Sequence, residues 1–172
     1  HGALMRPPAA PLRAAAFRVL KRPFLQNQTI EPTQVAGFNQ FYDEGNGTEF
    51  WRYGVAVDQR ILRNLFGGVE YSKRDIEVTY LDYLSVPGVA LSKQADLDES
   101  LFSAYLNWGP HRLLALFVEY KYERFDRGVD FPGVEMLTKL ITQRVPLAVN
   151  AFLPCGLFAQ LKGTYVWQEG DF

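Results

Sequence analysis

The feature that most constrains this chain is strict period-two alternation over residues 50–74, FWRYGVAVDQRILRNLFGGVEYSKR. Trp51, Tyr53, Val55, Val57, Gln59 and Ile61 occupy one parity, and Phe50, Arg52, Gly54, Ala56, Asp58 and Arg60 the other. One set is large and apolar, and the other is mostly small or charged. Side chains on a strand point alternately to opposite faces, so this pattern predicts a sheet with two unlike sides. After a short turn at Leu62–Asn64, Leu65, Gly67, Val69 and Tyr71 oppose Gly68, Glu70, Ser72 and Arg74, which predicts a hairpin.

The pattern recurs. Phe102, Ala104, Leu106 and Trp108 oppose Leu101, Ser103, Tyr105 and Asn107, and Gly109–Arg112 reads as a turn. Leu114, Leu116, Val118, Tyr120 and Tyr122 then oppose Leu113, Ala115, Phe117, Glu119, Lys121 and Glu123. A last hairpin runs from about Leu137 to Gln168 around Leu153–Gly156, with Pro146 predicting a bulge or an edge because it cannot donate to the ladder. Residues 1–11 are a Pro- and Ala-rich lead-in, and residues 12–172 form a single β domain. Leu12–Leu20 is compatible with helix or strand and is taken as strand from its company; Thr33–Tyr42 is taken as another. Residues 75–98 read as a long link and 126–136 as a loop, with an Asn46-Gly47 turn before the main hairpin. The expected fold is all-β: an antiparallel up-and-down meander of about eight long strands, a transmembrane β-barrel or an open segment of a larger one.

Three features favour a membrane barrel over a soluble one. Phe50–Ile61 spans about 40 Å at ~3.4 Å per residue, and about 30 Å when tilted by ~40°. Trp51, Tyr53, Tyr71, Trp108, Tyr120, Tyr122, Tyr165 and Trp167 share the apolar face, as an aromatic girdle would. With Val55 and Val57 they form the expected lipid-facing set. Arg52, Asp58, Arg60, Glu70, Arg74, Glu119, Lys121, Glu123 and Lys162 put both signs of charge on the other face, the expected pore lining. Lys73 and Arg124 break this parity near the loop rim, where long side chains reach water. Short connections alternate with long ones, which gives one rim of tight turns and one of loops. The runner-up is a soluble lipocalin-like barrel holding an apolar ligand inside.

TIEPTQVAGFNQFYD, WRYGVAVDQRILRNLFGGVEYSKRD, EYKYERF and GLFAQLKGTYVWQEGDF resemble strand blocks of the outer-membrane β-barrel domain of TonB-dependent-receptor-like proteins. The pattern is similar to a barrel placed after tetratricopeptide repeats in bacterial proteins. The resemblance implies location in the bacterial outer membrane and insertion by the barrel-assembly machinery. It also implies a channel for transport or export of a solute or polymer, completed by remaining strands or a repeat domain of a longer chain. A plug domain and a TonB box are not recognisable, so the resemblance does not extend to energised uptake.

The rest of the composition narrows the chemistry. Net charge is −1, which creates no field for nucleic acid. The lone Cys155 allows no internal disulfide or cysteine metal cluster, and no apolar run is long enough for a transmembrane helix. The acid-free start, with Arg6, Arg13, Arg18, Lys21 and Arg22, reads as a transit peptide or, preferably, as the cut end of a fragment. Only His1 and His111 are histidines, and His111 sits in a turn, so a hydrolase triad or metal centre is not expected. Asp96, Asp98 and Glu99 lack calcium-loop spacing and read as a solvated loop end. Glu119, Lys121 and Glu123 read as a salt-bridge ladder, and Gly67-Gly68 lies inside a strand. No cofactor, metal or catalytic residue is expected.

Overall fold

The computed structural model describes residues 11–20, 34–39, 47–82, 91–128 and 138–171. Seven antiparallel strands form one sheet in the order β1-β4-β5-β6-β7-β8-β9, and β2 and β3 form a separate two-stranded hairpin. The sheet strands are β1 (Leu12–Leu20), β4 (Glu49–Leu62), β5 (Leu65–Asp82), β6 (Leu91–His111), β7 (Leu114–Arg127), β8 (Lys139–Phe152) and β9 (Phe158–Asp171). The hairpin consists of β2 (Gln34–Val35) and β3 (Phe38–Asn39). The fold is an all-β antiparallel meander, and its sheet is open, with β1 and β9 as its edges.

The expected hairpins form, with revised limits. Leu62 pairs with Leu65 around Arg63-Asn64. Residues 109–111 are not a turn: β6 continues to His111, which pairs with Leu114, so the turn is Arg112-Leu113. A register shift between Trp108 and His111 accommodates Gly109-Pro110 within the strand. The Leu153–Gly156 turn stands where expected. Leu12–Leu20 is a strand, paired directly with β4 from Leu12↔Val57 to Leu20↔Glu49.

The long link expected at 75–98 is instead mostly strand. β5 and β6 stay paired out to Asp82↔Leu91, beyond the last pairings of β4 at Glu77 and of β7 at Leu97. The residues beyond these points make a two-stranded ribbon; Pro87-Gly88 lies outside the described residues. Its sequence hid the strand because the pattern reverses sense: Ile76, Val78, Ala95 and Leu97 now share the face that carries charge further down. The strand expected at Thr33–Tyr42 is also revised. It holds the β2–β3 hairpin, whose turn residues Ala36 and Gly37 both have positive φ, 50° and 85°, as a two-residue type I′ connection requires. Thr33 and residues 40–42 lie outside the described residues, as do Asn46, residues 1–10 and most of the loop expected at 126–136. Asp126 and Arg127 belong to β7.

Pro146 makes neither a bulge nor an edge. β8 lies between β7 and β9, and its pairing with β7 runs Val118↔Leu147, then resumes at Lys121↔Arg144 without a change of register. The missing N–H interrupts the ladder locally, while on the other side Pro146 still pairs with Thr164.

Candidate functional site

Register fixes the two faces across all seven strands. The nine residues expected to line a pore, Arg52, Asp58, Arg60, Glu70, Arg74, Glu119, Lys121, Glu123 and Lys162, all lie on one face. The ten expected to meet lipid, Trp51, Tyr53, Val55, Val57, Tyr71, Trp108, Tyr120, Tyr122, Tyr165 and Trp167, all lie on the other. Burial runs against ordinary globular practice. Polar Arg52 is 2% exposed and Ser72 0%, while Val55 is 53% exposed. On β4 the covered face is the one on which Phe38 of the hairpin lies against Gly54, and the apolar face opposite is the open one.

The exposed face is ordered by rows. Reading across the strands, Ala14, Val55, Tyr71, Phe102, Tyr122, Gln143 and Trp167 stand in one register row, rich in aromatic residues. Towards the short turns, Leu106, Val118 and Leu147 share one row, and Leu65, Trp108, Leu116, Val149 and Leu161 the next. All of these but Leu161 line an apolar depression of about 620 Å³. Towards the other rim the character changes: Arg18, Trp51, Asp75, Asp98, Asp126, Lys139 and Asp171 form a row charged at every position but Trp51. Lys73 belongs to this rim, bridging Asp75 at 2.7 Å and Asp98 at 3.1 Å, and Arg124 donates to Asp126 at 2.6 Å. The Lys73 ammonium holds the Asp75 carboxyl below its usual range by donating a hydrogen bond, and the Arg18 guanidinium does the same to Glu49.

The polar face is a network. Arg52 and Arg74 stand directly opposite each other, a pairing that repulsion alone would disfavour. Arg74 donates to Glu99 across the next strand and lies 5.3 Å from the Phe50 ring centroid. Arg52 donates to Ser72 Oγ at 2.9 Å. Asp58 accepts from Arg13 Nε at 2.8 Å and from the Tyr105 hydroxyl at 2.6 Å. Tyr105 reaches it by lying over Gly68, where an added Cβ would stand 2.6 Å from the ring. The expected Glu119–Lys121–Glu123 ladder divides: Lys121 pairs with Glu119 at 3.4 Å, and Glu123 accepts from Arg144. Lys162, on β9, has no ion-pair partner among the described residues.

The β2–β3 hairpin sits on this face. Phe38 is fully buried over Gly54, where even a Cβ would come within 2.5 Å of the ring. Arg13 clamps it, donating to the Ala36 carbonyl at 3.1 Å and lying 5.6 Å from the Phe38 ring centroid. Between hairpin and sheet lies a polar cavity of about 250 Å³, lined by Gln34 and Gly37 on one side and by Arg52, Glu70, Leu101, Ser103, Glu119, Lys121 and Glu123 on the other. Sequence reasoning missed this arrangement; the signal was glycine at positions 54 and 68 within otherwise bulky strands, which marks close approach.

Other candidates resolve simply. His111 caps its turn, accepting from the Leu113 N–H at 3.3 Å, and Cys155 is exposed in the last turn. Asp96, Asp98 and Glu99 lie on β6 rather than in a loop, and no acidic, His or Cys group suited to a metal ion occurs among the described residues. No protein-family model matches the chain, and no curated protein or solved structure matches it either.

Proposed function

We propose that the chain is a segment of an outer-membrane β-barrel that forms a channel for a solute or polymer, with the charged face towards the passage and the apolar face towards lipid. The observation that carries this reading is the exposed belt bounded by an aromatic row and then a charged row. On β7, Leu114 to Tyr122 covers about 27 Å along the strand at ~3.4 Å per residue. A tilt of ~40° reduces this to about 20 Å, close to the ~25 Å apolar band of such barrels. An aqueous exterior gives no reason for an apolar belt with sharp polar borders, whereas a bilayer does. The soluble alternative, a lipocalin-like barrel, needs its apolar side chains inside, and here they are the exposed ones.

Strand direction supports a segment rather than a closed unit. With seven strands in an antiparallel meander, the edges β1 and β9 run the same way. Antiparallel closure then requires an odd number of further strands, and bacterial barrels start at about eight. The partners of this reading are the bilayer, the barrel-assembly machinery and those further strands; no chemical step is involved. The test is partition into lipid vesicles by flotation. The chain should float with vesicles, Val55→Arg with Val57→Arg should abolish flotation, and Glu119→Gln should leave it intact. A chain that stays in the aqueous fraction as a folded monomer sinks the reading.

A further inference from the structure

We infer that the β2–β3 hairpin is an inward-folded constriction that restricts the passage to small hydrophilic solutes without net charge, an inference that rests on the channel reading above. The hairpin does not extend the sheet; it lies on the charged face and is held there by contacts with two strands, β4 and β1. Phe38 fills the space left by Gly54. Arg13 of β1 grips the Ala36 carbonyl while bonded to Asp58 of β4. Gln34 and Gly37 line the cavity from the hairpin's side. What remains open beneath the hairpin is about 250 Å³, room for a small polar molecule.

The charges around that space choose the class of solute. Glu119 pairs with Lys121 and Glu123 with Arg144, Arg13 lies between Asp58 at 2.8 Å and Glu70 at 3.7 Å, and Arg52 adds the fourth cation against these four acids. Because acids and bases neutralise each other locally, the wall offers many donors and acceptors but no excess of either sign. Such a wall replaces hydration for neutral or zwitterionic molecules and discriminates weakly between cations and anions. Apolar molecules gain little, since the cavity is walled chiefly by polar groups.

Planar-bilayer conductance and vesicle swelling in mono-, di-, tri- and tetrasaccharides test this on the complete barrel, with the further strands that close the sheet. Gly54→Val introduces a strand-favouring residue and drives out Phe38; Phe38→Ala removes the anchor without touching the sheet. The expected result is low conductance with a reversal potential near zero in a salt gradient, passage of small sugars only, and a several-fold rise in conductance with passage of larger sugars in both variants. Equal conductance and equal size limits in the native chain and both variants overturn the constriction while leaving the channel. Strong preference for one ion sign overturns the neutral-solute class. Absence of conductance in the native chain and both variants overturns the channel reading, and this inference with it.

Discussion

Strands β4 and β9 are both 14 residues long and carry the same alternation, yet one face of β4 is largely buried while every described position of β9 is exposed. Gln160, Lys162, Thr164 and Gln168 have the same parity as Arg52, Gly54, Ala56 and Asp58. The difference comes from neighbours. β4 is flanked by β1 and β5 and roofed by the hairpin, whereas β9 has β8 on one side and nothing among the described residues on the other. Alternation thus states which face a residue belongs to, and coverage decides whether that face is dry.

The largest effect should come from placing charge on the apolar face. Arginine at Val118, in the middle of the belt, should cost about 2–4 kcal/mol of membrane stability, falling to about 0–1 kcal/mol at Val55 in the bordering aromatic row. Arginine at Thr164, on the polar face of β9, should be nearly silent. Equal losses in urea unfolding from lipid would erase the distinction between the faces. Next comes the polar network. Arg74→Leu strands Glu99 and should cost about 1–3 kcal/mol. Lys162→Leu should stay within about 0.5 kcal/mol; a larger loss would mean that β9 is covered in solution.

Amide exchange should sharpen the comparison further. Protection should be highest along β5, paired on both sides, and lowest at the β9 amides that point away from β8, read residue by residue. The smallest effect concerns pH. The Glu49 and Asp75 carboxyls lie below their ordinary values because Arg18 and Lys73 donate to them. Their contribution is therefore present above about pH 4 and lost as pH falls through the lowered folded-state values. Both sites are well exposed, so the change should be slight, and Arg18→Gln should return Glu49 to the ordinary range in an NMR titration.

Face assignment was legible in the sequence because it needs only parity and chain continuity, and Arg52 through Lys162 fall on one side without exception. The ends of strands were less legible. Past the apolar belt, Asp75, Glu77, Asp96 and Asp98 lie on the belt's face and Ile76 and Leu97 on the opposite one, and polarity read as loop where the strands continue. The hairpin was illegible for a different reason. Gln34 to Asn39 reads as part of one sheet strand, but its place is set by a hole at Gly54 that lies outside its own sequence. Pro146 misled similarly: a strand interior tolerates one lost hydrogen bond when β9 supports the other side.

The order of pairing has a kinetic consequence. Every sheet contact except one joins consecutive strands of the meander, so assembly can proceed by adding one hairpin at a time with little loop-closure cost. β1 is the exception. It leaves the ribosome before its partner β4, with the hairpin between them, and must wait unpaired until β4 arrives. Arg13 therefore closes the longest loop in the sheet and clamps the hairpin in the same event. The seating of β1 is thus the step that fixes the hairpin over Gly54.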